Sequence, residues 1–265
     1  AADDRAGAPG DDTRAAGDSA GGPGDRSIAA VDDTLAAGDD RWIACRLRLD
    51  DPCDRPVAVA ACRRLLDLDA DPVAVDAALG ADPLLAPLVA ATPGRRAPGH
   101  VDAAELAVRA VLGQQVSLVA ARRLAGRLAG LCGEPLTDPV GDLTAAFPSP
   151  AAIAEADLDQ IGMPEARRTT VRTLARALAD GEISLEPGVD ADEAERALLG
   201  IRGIGPWTAA YIRMRGLADR DVFLATDLGV RHALAALGAA DAAAVAGRWR
   251  PWRSYAVQHL WAGLA

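Results

Sequence analysis

Apolar residues in the last ~165 residues of the chain recur at helical spacing, and no stretch there alternates in the manner of a strand. Val116, Ala120, Leu124, Leu128 and Leu131, for example, lie on one face of a single predicted helix. Glycine and proline interrupt the pattern so often that short helices are predicted over 101–112, 150–155, 157–161, 164–180, 190–200, 206–217, 228–237, 241–248 and 252–263. Such a chain can bury its apolar faces only by packing helix on helix, in one or two lobes.

The first hundred residues divide into two parts of different composition. Residues 1–38 are mostly Ala, Gly, Asp, Ser, Pro and Arg without periodicity, which predicts a disordered acidic tail or linker. Residues 39–99 are predicted to form a small mixed α/β region, because residues 41–49 alternate as a half-buried strand and short helices follow. Asp-Pro pairs at 71–72 and 82–83 mark two of these helices. Residues 100–265 then form the helical domain.

Several classes of site and of protein are excluded by residue usage. The four cysteines form no Cys-x-x-Cys pair and none follows residue 132, which argues against a disulfide framework and against zinc or an iron–sulfur cluster. All 28 basic residues are arginine, so a side-chain amine cannot form a Schiff base. No apolar run of 18 residues is present, and the first residues do not resemble a signal peptide. We therefore expect a cytoplasmic protein that does not associate with a membrane.

The charge of the chain is unevenly distributed. The net charge is −10, yet residues 200–265 carry eight arginines against four aspartates, a local charge of +4. A cationic end on an acidic chain is a possible binding surface for a polyanion. Solvated helix faces explain the same arginines equally well, and the charge alone does not decide between the two interpretations.

Two glycines punctuate the most informative segment, Leu198–Leu217 (LLGIRGIGPWTAAYIRMRGL). Gly203 and Gly205 lie between two predicted helices, and Pro206 opens the second. The free N–H groups of such a helix start favour a phosphate through hydrogen bonds and the helix dipole. An ordinary tight turn between helices is the alternative interpretation.

Aromatic residues concentrate in the region that follows this turn. Seven of the nine Phe, Trp and Tyr residues lie within residues 207–261. Aromatic rings beside arginines and a phosphate-type turn indicate stacking on nucleic acid bases. We assign Trp249, Trp252 and Tyr255 to core packing instead, because large rings dominate helical cores.

Four blocks in order carry a resemblance to a known family: VLGQQVSLVA (111–120), LGIRGIGPWTAAYIRMR (199–215), DVFLATDLGV (221–230) and WRPWRSYAVQHLW (249–261). They resemble the helix–hairpin–helix DNA glycosylase superfamily and, within it, the bacterial alkylbase branch, 3-methyladenine DNA glycosylase II. The match covers roughly residues 100–265, and Leu65–Val89 resembles the family more loosely. The resemblance implies a mainly α protein with the helix–hairpin–helix glycosylase fold in two helical lobes. A small α/β N-terminal region, shortened relative to the family, precedes them.

The resemblance also implies roles for individual residues. Asp227 falls on the family's catalytic aspartate, although its own sequence context is that of a helix N-cap. The expected pocket for the extruded base is lined by Trp207, Tyr211 and Trp261. Expected DNA contacts are Gly203, Gly205, Thr208 and the wedge residue Gln115, where the best-known members have leucine. Backbone carbonyls of Leu199, Ile201 and Gly203 are expected to hold a monovalent cation, with no other cofactor required.

The implied activity is hydrolytic excision of 3-methyladenine and 7-methylguanine from double-stranded DNA in base-excision repair. Bifunctional members have a lysine in the hairpin where Trp207 stands, so no lyase activity is expected and the product is an abasic site. Two alternatives stay open: a non-catalytic DNA-binding module and a glycosylase for deaminated purines. The family further implies a monomer located with the bacterial nucleoid, and a fusion to an alkylation-response regulator is a further hypothesis.

Overall fold

The computed structural model describes residues 27–30, 43–49, 51–239 and 241–264, and these divide into two compact units at residues 56 and 57. In the first unit, strand β1 (Ser27–Ala30) pairs antiparallel with β2 (Cys45–Arg48), with Ser27 opposite Arg48. Strand β2 lies within the predicted strand at 41–49. Strand β1 lies within residues 1–38, predicted as a disordered tail, and at these four residues the chain forms a strand instead. Four residues are too few to show periodicity, and pairing with β2 supplies their hydrogen bonds; the remainder of that predicted tail lies outside the described residues.

The rest of the described chain is mainly helical, as the sequence predicts. Its α-helices are α1 (Arg55–Leu66), α2 (Pro72–Gly80), α3 (Ala86–Ala91), α4 (Ala103–Leu112), α5 (Leu118–Cys132), α6 (Pro150–Glu155), α7 (Glu165–Ala179), α8 (Ala191–Leu199), α9 (Pro206–Gly216), α10 (Leu228–Ala236), α11 (Ala242–Ala246) and α12 (Arg253–Ala262). Side-chain caps define many of the starts: Asp71, Ser117 and Asp190, for example, each accept a hydrogen bond from the first turn of the helix they precede. Among the described residues, the helices are too short or too polar to cross a bilayer.

A short hairpin between α5 and α6 corrects one prediction. No strand was expected after residue 100, but β3 (Pro135–Val140) pairs antiparallel with β4 (Leu143–Ala145). Every residue of β3 is exposed, so the strand shows no alternation of buried and exposed positions that a sequence pattern could reveal. The turn itself carries a local signal, since Gly141 adopts a φ of 57° between the two strands.

Two hydrophobic cores lie within the second unit, and α9 contributes to both. Helices α4 to α9 build the first core, which includes Leu112, Leu174 and Ile212. The second core gathers residues of α2, α3, α10 and α12 around the fully buried Trp249 and Tyr255, and Met214 of α9 joins it. The family resemblance implies two helical lobes after residue 100. The two cores correspond to such lobes, but α2 and α3, which lie in the region predicted as a separate α/β part, belong to the second core because their apolar faces pack against α10 and α12. A side chain on the remaining face of α9 therefore lies at the junction of the lobes.

Candidate active site

The turn between α8 and α9 forms the first half of the site, and Gly203 is required there. Gly203 has a φ of 98°, and a Cβ at this position would lie 2.2 Å from Thr170 Oγ1. Gly205 precedes α9 as its N-cap and offers no side-chain cap, with Pro206 at the first helical position. Both glycines are exposed. The first turn of α9 therefore presents its start to solvent in the way that favours a phosphate.

Side chains from two other elements hold this turn in place. Thr170 Oγ1 of α7 donates to the Arg202 carbonyl at 2.9 Å. Gln114 Nε2 donates to the Gly203 carbonyl at 2.9 Å and to Thr208 Oγ1 at 3.1 Å. The backbone carbonyl of Gln114 in turn accepts a hydrogen bond from Arg167. The hairpin is thus fixed by polar contacts to its backbone.

Gln114 is a residue that sequence reasoning missed. The sequence contains two adjacent glutamines, and nothing in their spacing tells which one faces the hairpin. The structure turns Gln114 inward and leaves Gln115 exposed, with a left-handed φ of 53°. Gln115 is exposed to solvent beside Gln114, and its role as a wedge stays a prediction.

Thr208 and the proposed cation ligands occupy the same turn. Thr208 is buried and its hydroxyl accepts a hydrogen bond from Gln114 Nε2, so its side chain does not face solvent as the expected DNA contact would. The Ile201 carbonyl accepts a hydrogen bond from Ile204 N at 3.0 Å, and the Gly203 carbonyl accepts one from Gln114. Each of these two carbonyls has a second lone pair, so neither is excluded as a cation ligand. The cation expected on Leu199, Ile201 and Gly203 stays a prediction.

Asp227 forms the second half of the site. It is the N-cap of α10, and its Oδ1 accepts a hydrogen bond from Val230 N at 2.9 Å. Trp261 Nε1 donates to the same Oδ1 at 2.8 Å, while Trp207 Nε1 donates to Oδ2 at 3.0 Å. A carboxylate has roughly four lone-pair sites, so three donors fix its orientation and leave about one free. The helix-cap interpretation of Asp227 is therefore correct, and it is compatible with a role in the site.

Two indole rings contact this carboxylate, and a third aromatic ring packs on one of them. Tyr211 stacks on Trp207 with ring centroids 5.2 Å apart and an interplanar angle of 9°. Trp207 and Tyr211 lie on α9, whereas Trp261 lies on α12, so the rings come from the two sides of the junction between the lobes. All three rings and Asp227 are half-buried rather than sealed off. A flat, electron-poor ligand could stack here within reach of a fixed negative charge.

Ion pairs engage much of the cationic charge that the sequence placed after residue 200. Arg213 of α9 pairs with Asp192 and Glu195 of α8 and with Asp219, at 2.6, 2.8 and 2.6 Å. Burial disfavours its charge, yet these hydrogen bonds outweigh burial and raise the pKa of the Arg213 guanidinium above its ordinary value. Arg250 and Arg253 both pair with Asp221. These arginines stabilise the helices and loops that carry the site.

The prediction of Trp249 and Tyr255 as core residues is confirmed by their burial.

Comparisons with known proteins agree on the family. Residues 108–247 match the HhH-GPD superfamily of base excision DNA repair proteins, and residues 25–102 match the AlkA N-terminal domain, which begins upstream of the boundary predicted at residue 39. A Mycobacterium tuberculosis protein named "Probable bifunctional transcriptional activator/DNA repair enzyme AlkA" is 51% identical over 226 residues, which are 84% of this chain and 46% of that protein. The chain thus spans about half the length of this relative.

Two further relatives match over more of their own length. Escherichia coli DNA-3-methyladenine glycosylase 2 is 41% identical over 212 residues, covering 78% of this chain and 72% of that protein. The structure of a 3-methyladenine DNA glycosylase from Archaeoglobus fulgidus has the same fold, with a TM-score of 0.70 at 22% identity over 90% of this chain and 87% of that one. With its hairpin, its family-model match over half its length and this degree of identity, the chain belongs to the HhH-GPD superfamily of base excision DNA repair proteins.

Proposed function

We propose that this chain is a monofunctional DNA glycosylase that hydrolyses the N-glycosidic bond of alkylated purines, 3-methyladenine and 7-methylguanine, in double-stranded DNA. The observation that carries the proposal is the Asp227 carboxylate, held by two indole N–H groups inside a half-open aromatic pocket. The relative from E. coli is named for this activity. Cytoplasmic location with the nucleoid follows from where such a substrate is found.

The hairpin and the loop before α5 supply the grip on DNA. Backbone N–H groups at the start of α9 bind a phosphate, and the exposed Gln115 fills the gap left in the duplex by the extruded nucleotide. A monovalent cation on the carbonyls of Leu199, Ile201 and Gly203 would add positive charge next to that phosphate. Extrusion is necessary because the glycosidic bond inside a duplex is out of reach, and damage lowers its cost.

The pocket selects the alkylated base and supplies the group that promotes cleavage of its glycosidic bond. An alkylated purine carries positive charge, so it stacks favourably on Trp207, Tyr211 and Trp261. The C1′–N bond breaks with its electron pair leaving on the neutral base, and the sugar becomes an oxocarbenium ion. The negative charge of Asp227 stabilises that ion and orients a water molecule, which adds to C1′ and loses a proton. Since the chain contains no lysine, no Schiff base forms and the abasic site is released intact.

Excision assays with Asp227→Asn test the proposal. Asparagine keeps a helix N-cap through its amide oxygen, but it removes the charge and replaces the oxygen that accepts from Trp207 with an NH₂ donor. The variant should therefore fold and bind DNA, with that one hydrogen bond lost. Wild type should release methylpurines from methylated duplex, and the variant should be slower by about 10²–10⁴-fold. Equal, background-level release by both proteins would instead indicate a non-catalytic DNA-binding module. Excision of hypoxanthine but not of methylpurines would indicate a glycosylase for deaminated purines.

Two statements about the wider protein remain predictions. The name of the M. tuberculosis relative supports the hypothesis of a fusion to a transcriptional regulator. A monomeric state is expected from the family resemblance. Sedimentation of the protein with and without duplex DNA tests the second.

A further inference from the structure

Gly229, the second residue of α10, lies next to two residues of the candidate site, Asp227 and Trp261. A Cβ at this position would lie 3.1 Å from Asp227 Oδ1, 3.1 Å from Trp261 Cδ1 and 3.4 Å from Leu264 Cδ1. The first two distances are shorter than the optimal contact between non-bonded heavy atoms. A side chain here would therefore press on the carboxylate and on the indole at the same time.

Backbone conformation does not account for this glycine. Gly203 and Gly162 have positive φ angles, but Gly229 does not, so an alanine could adopt the same backbone. Alanine is also the better helix former. The position favours a residue without a side chain because Trp261 and Asp227 lie where a Cβ would make close contacts.

The hydrogen bonds show what the space is used for. Trp261 Nε1 reaches Asp227 Oδ1 at 2.8 Å across the first turn of α10, and the same oxygen accepts from Val230 N at 2.9 Å. Trp261 comes from α12, which packs against α10. With a Cβ at residue 229, the indole or the carboxylate would have to move by a few tenths of an ångström.

We propose that Gly229 is a positioning residue for excision: its missing side chain allows the Trp261 indole to close on α10 and to orient the Asp227 carboxylate. This inference rests on the proposed function, since it concerns the same carboxylate. A side chain at residue 229 leaves the hairpin untouched, so it should slow bond cleavage and leave DNA binding unchanged.

The variant Gly229→Ala tests this, with Gly126→Ala as its matched control. Gly126 lies in α5, where a Cβ would meet no heavy atom within 4 Å. Single-turnover excision, affinity for a methylated duplex and thermal unfolding are measured for both. We expect Gly229→Ala to excise about 10- to 100-fold more slowly with unchanged affinity. Gly126→Ala should keep the wild-type rate and affinity and unfold at a slightly higher temperature, because alanine is the better helix former, whereas crowding at residue 229 should cancel that gain in Gly229→Ala.

A spectroscopic measurement distinguishes positioning from general damage. The indole N–H signals of the five tryptophans are assigned in a 1H–15N spectrum by single Trp→Phe changes. In Gly229→Ala the Trp261 signal should shift, whereas those of Trp249 and Trp252 should stay in place. A wild-type excision rate in Gly229→Ala, or a slower rate with an unshifted Trp261 signal, would overturn the inference.

The variant Trp261→Phe keeps the inference testable if Gly229→Ala folds poorly, because it removes the N–H donor to Asp227 without adding a side chain to α10. It should slow excision with unchanged affinity, and a wild-type rate in this variant would overturn the inference. A double variant extends the test where both changes fold. Trp261→Phe lacks the N–H donor, so adding Gly229→Ala should slow excision no further than Trp261→Phe alone. Full additivity of the two effects would contradict the inference. Failure of the proposed function has a different result: wild type shows no excision at all, while the Trp261 signal still reports the geometry.

Discussion

The hairpin and the carboxylate pocket share the first turn of α9, but they are built in opposite ways. The hairpin acts through backbone, with Gly203 at a left-handed φ and a carbonyl held by Gln114. The pocket acts through side chains, with Asp227 held by Trp207 and Trp261 from two different helices. In the proposed function the hairpin binds any DNA, because phosphates repeat along every strand. The pocket would distinguish a damaged base, because its side chains set the shape and the charge that the base meets.

This difference implies that substitutions in the hairpin and in the pocket should impair different properties of the protein. Damage to the hairpin should weaken binding to all DNA, whether modified or not. Damage to the pocket should reduce the rate of excision while binding persists. Variants in each half test whether DNA binding and excision can be impaired separately.

The largest expected effect is that of Asp227→Ala. Like Asp227→Asn it should lower the excision rate by about 10²–10⁴-fold. Unlike Asn, alanine cannot accept the hydrogen bond from Val230 N, so the free energy of unfolding should fall by about 1 kcal/mol. Chemical denaturation of the two variants measures this difference. If both variants were equally stable, the cap would contribute nothing and Asp227 would serve the site alone.

Gly203→Ala should have the next largest effect, on binding. Its Cβ would meet Thr170 Oγ1 at 2.2 Å and its φ would be strained, so the turn must shift. We expect affinity for undamaged duplex to fall by about tenfold, together with about 1–3 kcal/mol of stability. Fluorescence anisotropy with labelled duplex measures the affinity. Unchanged binding would break the assignment of phosphate contacts to this turn.

Gln114→Ala should have a smaller effect of the same kind. It removes one donor to the Gly203 carbonyl and one to Thr208, each hydrogen bond contributing about 1 kcal/mol. Affinity for undamaged duplex should fall about fivefold. Its neighbour provides the control for stability: chemical denaturation should show a lower free energy of unfolding for Gln114→Ala and an unchanged one for Gln115→Ala, which removes an exposed side chain. A loss of stability in Gln115→Ala but not in Gln114→Ala would reverse the roles given to the two glutamines.

Local patterns account for the parts of the site that the sequence could predict. Gly203 and Gly205 mark the turn because glycine and proline act on the backbone of their own segment. Asp227 is recognisable as a helix start for the same reason. The exposed strands β3 and β4 escaped prediction because they bury no alternating face.

Long-range contacts explain what the sequence could not predict. Gln114 and Gln115 are identical in type and adjacent in sequence, and only contact with a turn some 90 residues away separates their roles. The arginines after residue 200 suggested a polyanion surface, yet Arg213 and Arg253 pair with acidic side chains that folding brings to them.

The order of short helices, the glycine turn and the aspartate at the start of α10 follow from the amino-acid sequence itself, because helix caps, turns and periodicity act over a few residues. That two indoles converge on one carboxylate, and that the empty space at Gly229 permits it, was decided only by the packing of α9, α10 and α12. The physical reason is the separation along the chain over which each kind of interaction acts. Propensities act over a few neighbours, whereas a pocket depends on distances of a few ångströms between residues far apart in the chain.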